Sequence, residues 1–300
     1  MVLFSGTSNL PLASKVAKKL GVNLGEVELN RFSDGECRVW VKERIEDKDV
    51  FVLQSLSTIA DQNLLELCLL GDALKRLGAK SLTAIIPWLG YSKQDKEFRK
   101  GEAVSSQLVA KFIETAGFQK VITLELHSSK IKEYFKIPVV ELSAKTELVK
   151  VVKTNYLLTG GNTTVISPDK GGAGRSEQFA NLIGLPIAYV EKERDLTTGK
   201  VTILSIDKAI NGKTVFIYDD IINTGSTAVE LAKFLHKKGA KKIIFIGIHG
   251  VLSGQASSNI QKSFIDEVLV TDTIQIPKEK LFKKLKIIPI ADLIFQSLKP

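Results

Sequence analysis

Two kinds of apolar spacing alternate along the chain. Residues 50–53, 82–86, 121–124, 164–166, 215–218 and 243–248 are short, almost continuously apolar runs. Runs of that length are what strands buried on both faces require. Between them, apolar side chains return at helical spacing: Leu64, Leu67, Leu70, Leu74 and Leu77; Val104, Leu108, Phe112 and Ile113; then Val229, Leu231, Phe234 and Leu235. Strand and helix in alternation predict an α/β protein with mostly parallel sheets flanked by helices.

The rhythm restarts near Ser143, where Ser143 or Thr146 is expected to cap a helix running into residues 148–152. A turn-rich stretch, Thr159-Gly160-Gly161-Asn162, then leads into a new strand. The boundary is placed near residue 145, giving domains of residues 1–145 and 146–300. Residues 291–298 read as a helix for which a return to the N-terminal domain is open. The halves share a strand and helix rhythm of the kind that duplication of one fold produces.

Three hundred residues, 44% of them hydrophobic, supply enough apolar surface for two compact cores. Lys and Arg outnumber Asp and Glu by 42 to 33, a formal charge of +9, so the surface attracts anions. The cations come in short scattered groups, such as Lys18-Lys19 and Lys283-Lys284, which read as solvated surface rather than a nucleic-acid stripe, and small phosphorylated substrates suit the charge equally well. Two cysteines, Cys37 and Cys68, without CxxC spacing suggest neither a disulfide framework nor a zinc site, and both read as ordinary buried thiols. Residues 1–10 lack a basic segment followed by an apolar core, and the apolar stretch 64–70 is interrupted by Glu66. A soluble cytoplasmic protein without membrane association is expected.

The sharpest chemical signal lies in residues 215–227. An apolar strand ends in Asp219 and Asp220, followed after two isoleucines by Asn223, Thr224, Gly225, Ser226 and Thr227 and then a helix. Such a loop can surround a phosphate with backbone N–H groups, hydroxyls and the positive helix end, and glycine lets the backbone come close. The paired carboxylates can accept hydrogen bonds from vicinal ribose hydroxyls. A second loop, residues 167–176, also joins a strand to a helix that begins near Arg175. Its Gly172 and Gly174 open a GxGxxG pattern that Glu177 breaks, and the chain has no GxxxxGK[ST], so neither a dinucleotide loop nor a P-loop is present.

The 219–227 segment resembles the phosphoribosyl-binding motif of type I phosphoribosyltransferases and ribose-phosphate pyrophosphokinases, with Asn223 where an aspartate is common. Ser167-Pro168-Asp169-Lys170-Gly171-Gly172 with Arg175 resembles the SPDxGG loop of the pyrophosphokinases. So do Arg31-Phe32-Ser33-Asp34-Gly35-Glu36, Lys93-Gln94-Asp95 with Lys93 for an arginine, Glu125-Leu126-His127 with Glu125 for an aspartate, and Glu191-Lys192-Glu193-Arg194-Asp195. The resemblance runs from about residue 30 to 275.

It implies two similar type I phosphoribosyltransferase domains and transfer of the β,γ-diphosphate of ATP to the C1 hydroxyl of ribose 5-phosphate. Phe32, Asp34, Gly35, Glu36, Lys93, Gln94, Asp95 and His127 would bind ATP. Arg194, Asp219, Asp220 and residues 223–227 would hold ribose 5-phosphate. His127 and Asp169 would carry Mg2+, while Lys192 and Arg194 act in catalysis; in an extended strand those two cations project to one side. A homo-oligomer is implied. A phosphoribosyltransferase that consumes phosphoribosyl pyrophosphate would share only the 219–227 motif, and a non-catalytic paralogue need not keep Lys192, Arg194, His127 and Asp169 together.

Overall fold

A computed structural model describes residues 1–159, 161–168, 173–194 and 201–299, with the side chains of residues 194, 201 and 202 outside the described set. The chain divides into two compact units. The first comprises Met1–Ser143, Thr273–Gln275 and the segment from Ile290 on, and the second Ala144–Asp272 with Ile276–Pro289.

The first unit contains β1 (Val2–Ser5), α1 (Leu10–Leu20), β2 (Val27–Arg31), β3 (Cys37–Val41), β4 (Asp49–Leu53), α2 (Ala60–Arg76), β5 (Ser81–Ile86), α3 (Ser105–Thr115), β6 (Lys120–Leu124) and β7 (Val139–Leu142). The second contains α4 (Lys145–Asn155), β8 (Thr163–Ser167), α5 (Ala173–Ile183), β9 (Ile187–Arg194), β10 (Val201–Ile206), β11 (Thr214–Ile222), α6 (Ser226–Lys237), β12 (Lys242–Gly250), α7 (Ala256–Lys262), β13 (Glu267–Thr271) and β14 (Leu285–Ile288). The last helix, α8 (Ala291–Ser297), belongs to the first unit, where Lys19 of α1 pairs with Asp292 at 2.6 Å.

Both sheets follow one plan. In the first unit the order is β1-β4-β5-β6-β7, all parallel, with the β2-β3 hairpin attached through a bridge from Leu3 to Leu24. In the second it is β10-β9-β8-β11-β12-β13-β14, parallel except for the β9-β10 hairpin. Substituting β8 for β1, the β9-β10 hairpin for β2-β3 and β11 for β4 turns one order into the other.

Helices on both faces explain the continuous apolar runs. All of β8 is buried, and β5 is buried from Leu82 to Ile86. Helix α1 shows how local chemistry sets the ends. The Asn9 side chain accepts from the Leu12 N–H at its start, Lys18 and Lys19 stand in its last turn, and Gly21 ends it in a left-handed conformation.

The expected cap of α4 is different. Ala144 occupies the cap position without a side-chain bond, and Ser143 donates to the Glu125 carboxylate at 2.5 Å instead. A buried carboxylate gains more from that hydroxyl than a solvated helix end does. Cys37 and Cys68 are only partly buried.

At the far side of the second sheet, Glu267 accepts from Lys242 and Lys286 on the flanking strands and from the Tyr156 hydroxyl at 2.9 Å. Burial pushes its carboxyl up, but hydrogen bonds from Lys242, Lys286 and Tyr156 overcome this and hold it down to about 2. A depressed carboxylate contributes stability above the ordinary carboxylate range and loses it as pH falls through the folded value. Thermal melts should therefore show an acid-side loss between about pH 4.5 and 2 that Glu267→Gln flattens. An unchanged slope in the variant would remove Glu267 from the acid response.

Candidate functional site

Strand β11 carries the chemistry at its C-terminal end. Its first buried residues, Val215 to Tyr218, lie in the core, and Tyr218 stacks on Phe179 of α5 with ring centroids 4.4 Å apart. Past that point the strand emerges and polar side chains begin. Asp219 is partly exposed and accepts from the Asp220 N–H at 2.9 Å, whereas Asp220 is 4% exposed and faces Arg175 at 3.5 Å. Two-residue alternation thus sends the adjacent acids to opposite faces.

The chain then turns through Asn223, Thr224 and Gly225 into α6. Gly225 caps the helix in a left-handed conformation at φ 71°, and a Cβ there would meet Ile260 Cδ1 at 3.0 Å. The Asn223 side chain accepts from the Ser253 hydroxyl at 2.7 Å, its carbonyl accepts from the Ser253 N–H at 3.0 Å, and the hydroxyls of Thr224 and Ser226 lie 3.0 Å apart. A loop held in this way presents the first-turn N–H groups of α6, which have no acceptor inside the helix, to whatever sits before it.

In front of the loop is a cavity of about 850 Å³. Asp219, Asn223, Thr224, Gly225 and Thr227 line it from one side and Lys192 of β9 from another, with Pro168 from the loop after β8. The positive end of α6 and the Lys192 ammonium favour a phosphate on their side of the volume, while Asp219, with Glu191 and Glu193 also in the lining, offers acceptors for sugar hydroxyls.

Of the residues expected to hold a sugar phosphate, the cavity collects Asp219, Asn223, Thr224, Gly225 and Thr227. Asp220 and Ser226 are outside its lining, one paired with Arg175 and the other hydroxyl to hydroxyl with Thr224. Asp169 lies outside the described residues, as does the side chain of Arg194. The apolar wall, Leu204, Leu231 and Phe245, was not among the candidate residues. Leu231 could have been found, because helical spacing puts it on the face of α6 that follows Thr227.

The nucleotide-side candidates lie in the first unit. The β2-β3 tip is a built turn: Phe32 N–H donates to Glu36 O at 2.9 Å, Gly35 N–H to Phe32 O at 2.9 Å, and Arg31 to Gly35 O at 2.9 Å. Asp34 accepts from the Glu36 N–H at 3.1 Å, and Phe32 stands 51% exposed, its ring open for stacking. Lys93 and Gln94 are exposed and Asp95 partly so. Gln94 is fixed by Ser105 and, through its carbonyl, by the Ser106 N–H and hydroxyl, while Asp95 O accepts from the Tyr134 hydroxyl. His127 follows β6 and is partly buried, behind Glu125 in a left-handed backbone at φ 38°.

Comparison with known proteins places this geometry in context. Residues 1–117 match the N-terminal domain of ribose phosphate pyrophosphokinase, and residues 197–300 match the phosphoribosyl synthetase-associated domain. Ribose-phosphate pyrophosphokinase 1 of Streptococcus pyogenes is 37% identical over 297 residues, covering 99% of this chain and 92% of the relative. The protein of the same name from Streptococcus agalactiae is 38% identical over the same length. The crystal structure of phosphoribosylpyrophosphate synthetase from Mycobacterium smegmatis superposes with a TM-score of 0.91 at 34% identity, over 99% of this chain and 96% of that one.

Gly225→Ala should place a side chain in a left-handed backbone and against Ile260, at a cost of about 1–2 kcal/mol. The expected result is weaker binding of phosphate esters, read by calorimetric titration, together with a lower melting temperature. Wild-type affinity in the alanine variant would show that the turn does not hold the anion.

Proposed function

The chain belongs to the ribose-phosphate pyrophosphokinase family, and we propose that the cavity between β9 and the 223–227 loop is where it binds ribose 5-phosphate for that reaction. The enzyme transfers the β,γ-diphosphate of ATP to the C1 hydroxyl, giving 5-phosphoribosyl 1-pyrophosphate and AMP. The observation that carries the reading is the convergence of Lys192, Asp219 and the Gly225 turn on one cavity.

The 5-phosphate sits against the first turn of α6, with the Thr224 and Thr227 hydroxyls as further donors. Asp219 accepts from a ribose hydroxyl and so orients C1. Asp220 acts behind it by holding Arg175 at the start of α5. Phe32 stacks on adenine while Asp34, Gly35 and Glu36 meet its polar edge, and Lys93, Gln94, Asp95 and His127 contact the rest of the nucleotide. As the C1 oxygen bonds to the β-phosphorus, the bond from that phosphorus to the α,β-bridging oxygen breaks and AMP leaves with the oxygen. The hydroxyl proton is released. Lys192, joined by Arg194, neutralises charge on the transferred group, and catalysis is mostly positioning and electrostatics.

By the family resemblance, Asp169 and His127 are the residues that would hold Mg2+, with polyphosphate oxygens completing its shell. Held there, it would offset the charge of the polyphosphate. The protein works as a homo-oligomer in the cytoplasm, a reading that rests on the family resemblance. No helix among the described residues is long and apolar enough to cross a membrane.

Phosphorus NMR of the protein with ATP, magnesium and ribose 5-phosphate should show AMP and a C1-linked diphosphate appearing together and only with the sugar. ATP that stays intact, or gives ADP and phosphate regardless of sugar, would overturn the assignment. Lys192→Ala should lower kcat by about 100-fold or more while ATP affinity changes little. Unchanged turnover would take Lys192 out of the mechanism.

A further inference from the structure

The first unit has a smaller cavity of about 350 Å³ beside the C-terminal half of β2. Its place in the fold matches that of the larger one. Phe4 pairs with Val52 across β1 and β4, and Ile166 with Ile217 across β8 and β11, each one residue before the serine that ends the first strand. Counted forward from that register, Thr58, Ile59, Gln62, Asn63 and Glu66 fall opposite Asn223, Thr224, Thr227, Ala228 and Leu231. Each of the first five lines the smaller cavity and each of the second five lines the larger. The hairpins correspond as well: Leu3 bridges Leu24 as Val165 pairs with Ile187, which sets Leu29 opposite Lys192, and both line their cavities.

What differs is the chemistry. Lys192 becomes Leu29, Asp219 becomes Gln54, and the left-handed Gly225 becomes Ala60, the first residue of α2. The apolar wall residue Leu231 becomes Glu66, a carboxylate only 3% exposed. Glu66 accepts from the Thr7 N–H at 2.7 Å, from the Thr7 hydroxyl at 2.9 Å and from Gln54 Nε2 at 2.7 Å. Gln54 in turn uses its Oε1 to accept from the Ser8 N–H at 3.0 Å and from the Ser8 hydroxyl at 2.6 Å. An amide in place of Asp219 thus supplies a donor where the larger site has an acceptor, and the anion it donates to is part of the chain. Backbone N–H, hydroxyl and amide donors around a buried anion are the set that would hold a phosphate.

We propose that the first unit retains a second copy of the sugar-phosphate cleft which Glu66, reaching in from the position opposite Leu231, closes to substrate as an internal anion. A fixed negative charge at that point repels an incoming phosphate, and its donors are already engaged. The cleft therefore serves as a structural post that ties α2 to the loop after β1.

Removing the carboxylate should reopen the site to anions. Glu66→Ala, with Glu66→Ser as a second variant in case alanine prevents folding, is compared with the parent in thermal melts. The full chain is melted in inorganic phosphate, ribose 5-phosphate or formate at matched ionic strength. Both variants should melt lower than the parent without phosphate. Phosphate and ribose 5-phosphate should then raise their melting temperatures by about 2 °C or more beyond the rise in the parent. Selenate soaked into variant crystals should give an anomalous peak beside the Thr7 amide that parent crystals lack. Equal rises in parent and variants would overturn the proposal. So would formate restoring the variants as fully as phosphate, which would mark a mere carboxylate-sized hole, or a selenate peak beside Thr7 in the parent. Because each variant is read against its own parent, these outcomes stand apart from whether the parent turns over ATP.

Discussion

Parallel strands covered by helices on both faces must be apolar along their length, because a polar group in the middle of such a layer has no water and few partners. Polar chemistry is then confined to the strand ends, where the chain leaves the sheet for a helix. The end of β11 shows the consequence. Four buried residues are followed by two carboxylates, two isoleucines, a three-residue turn and the open first turn of a helix, so sheet burial and the proposed phosphate site share one segment. The left-handed backbone at Gly225 makes the change of direction possible within so few residues.

The same constraint operates in the first unit with another outcome. At the end of β4, Gln54 and Ser55 are both fully buried, and the Ser55 hydroxyl donates to Thr273 O at 2.5 Å. Asn9 donates to that same carbonyl at 3.3 Å. Strand ends built for polar groups have here been satisfied internally, by neighbouring side chains and by a segment returning from late in the chain. One fold plan thus supports a large cavity in one unit and, in the other, a smaller one backed by a hydrogen-bond network, according to which few residues follow the strand.

Much of this was legible in the amino-acid sequence. The strands at residues 50–53, 82–86 and 215–218 show as almost continuously apolar runs, and the helices as returns at three and four residues, because burial on both faces or on one stripe leaves those marks. That the loop of residues 223–227 faces a cavity is foreshadowed too, since hydroxyls, glycine and acids are rare together after an apolar strand. Less visible were choices among partners far apart in the chain. Ser143 reads as a helix cap until Glu125, eighteen positions earlier, claims its hydroxyl. Asp219 and Asp220 read as a pair, yet strand alternation gives one to the cavity and the other to Arg175. Glu66 reads as an interruption in an apolar stretch, and only Thr7 and Gln54 around it explain its burial.

By itself the sequence determined the α/β class, the sites where chemistry leaves the sheets and the family, because periodicity and local turn chemistry are written in neighbouring residues. The tertiary structure alone decided which polar side chains face open space and which are spent on one another. That choice depends on sheet register and on segments brought together from distant parts of the chain. Residue type cannot encode it locally: the same hydrogen-bonding group serves a ligand or a buried neighbour according to what the fold sets opposite it.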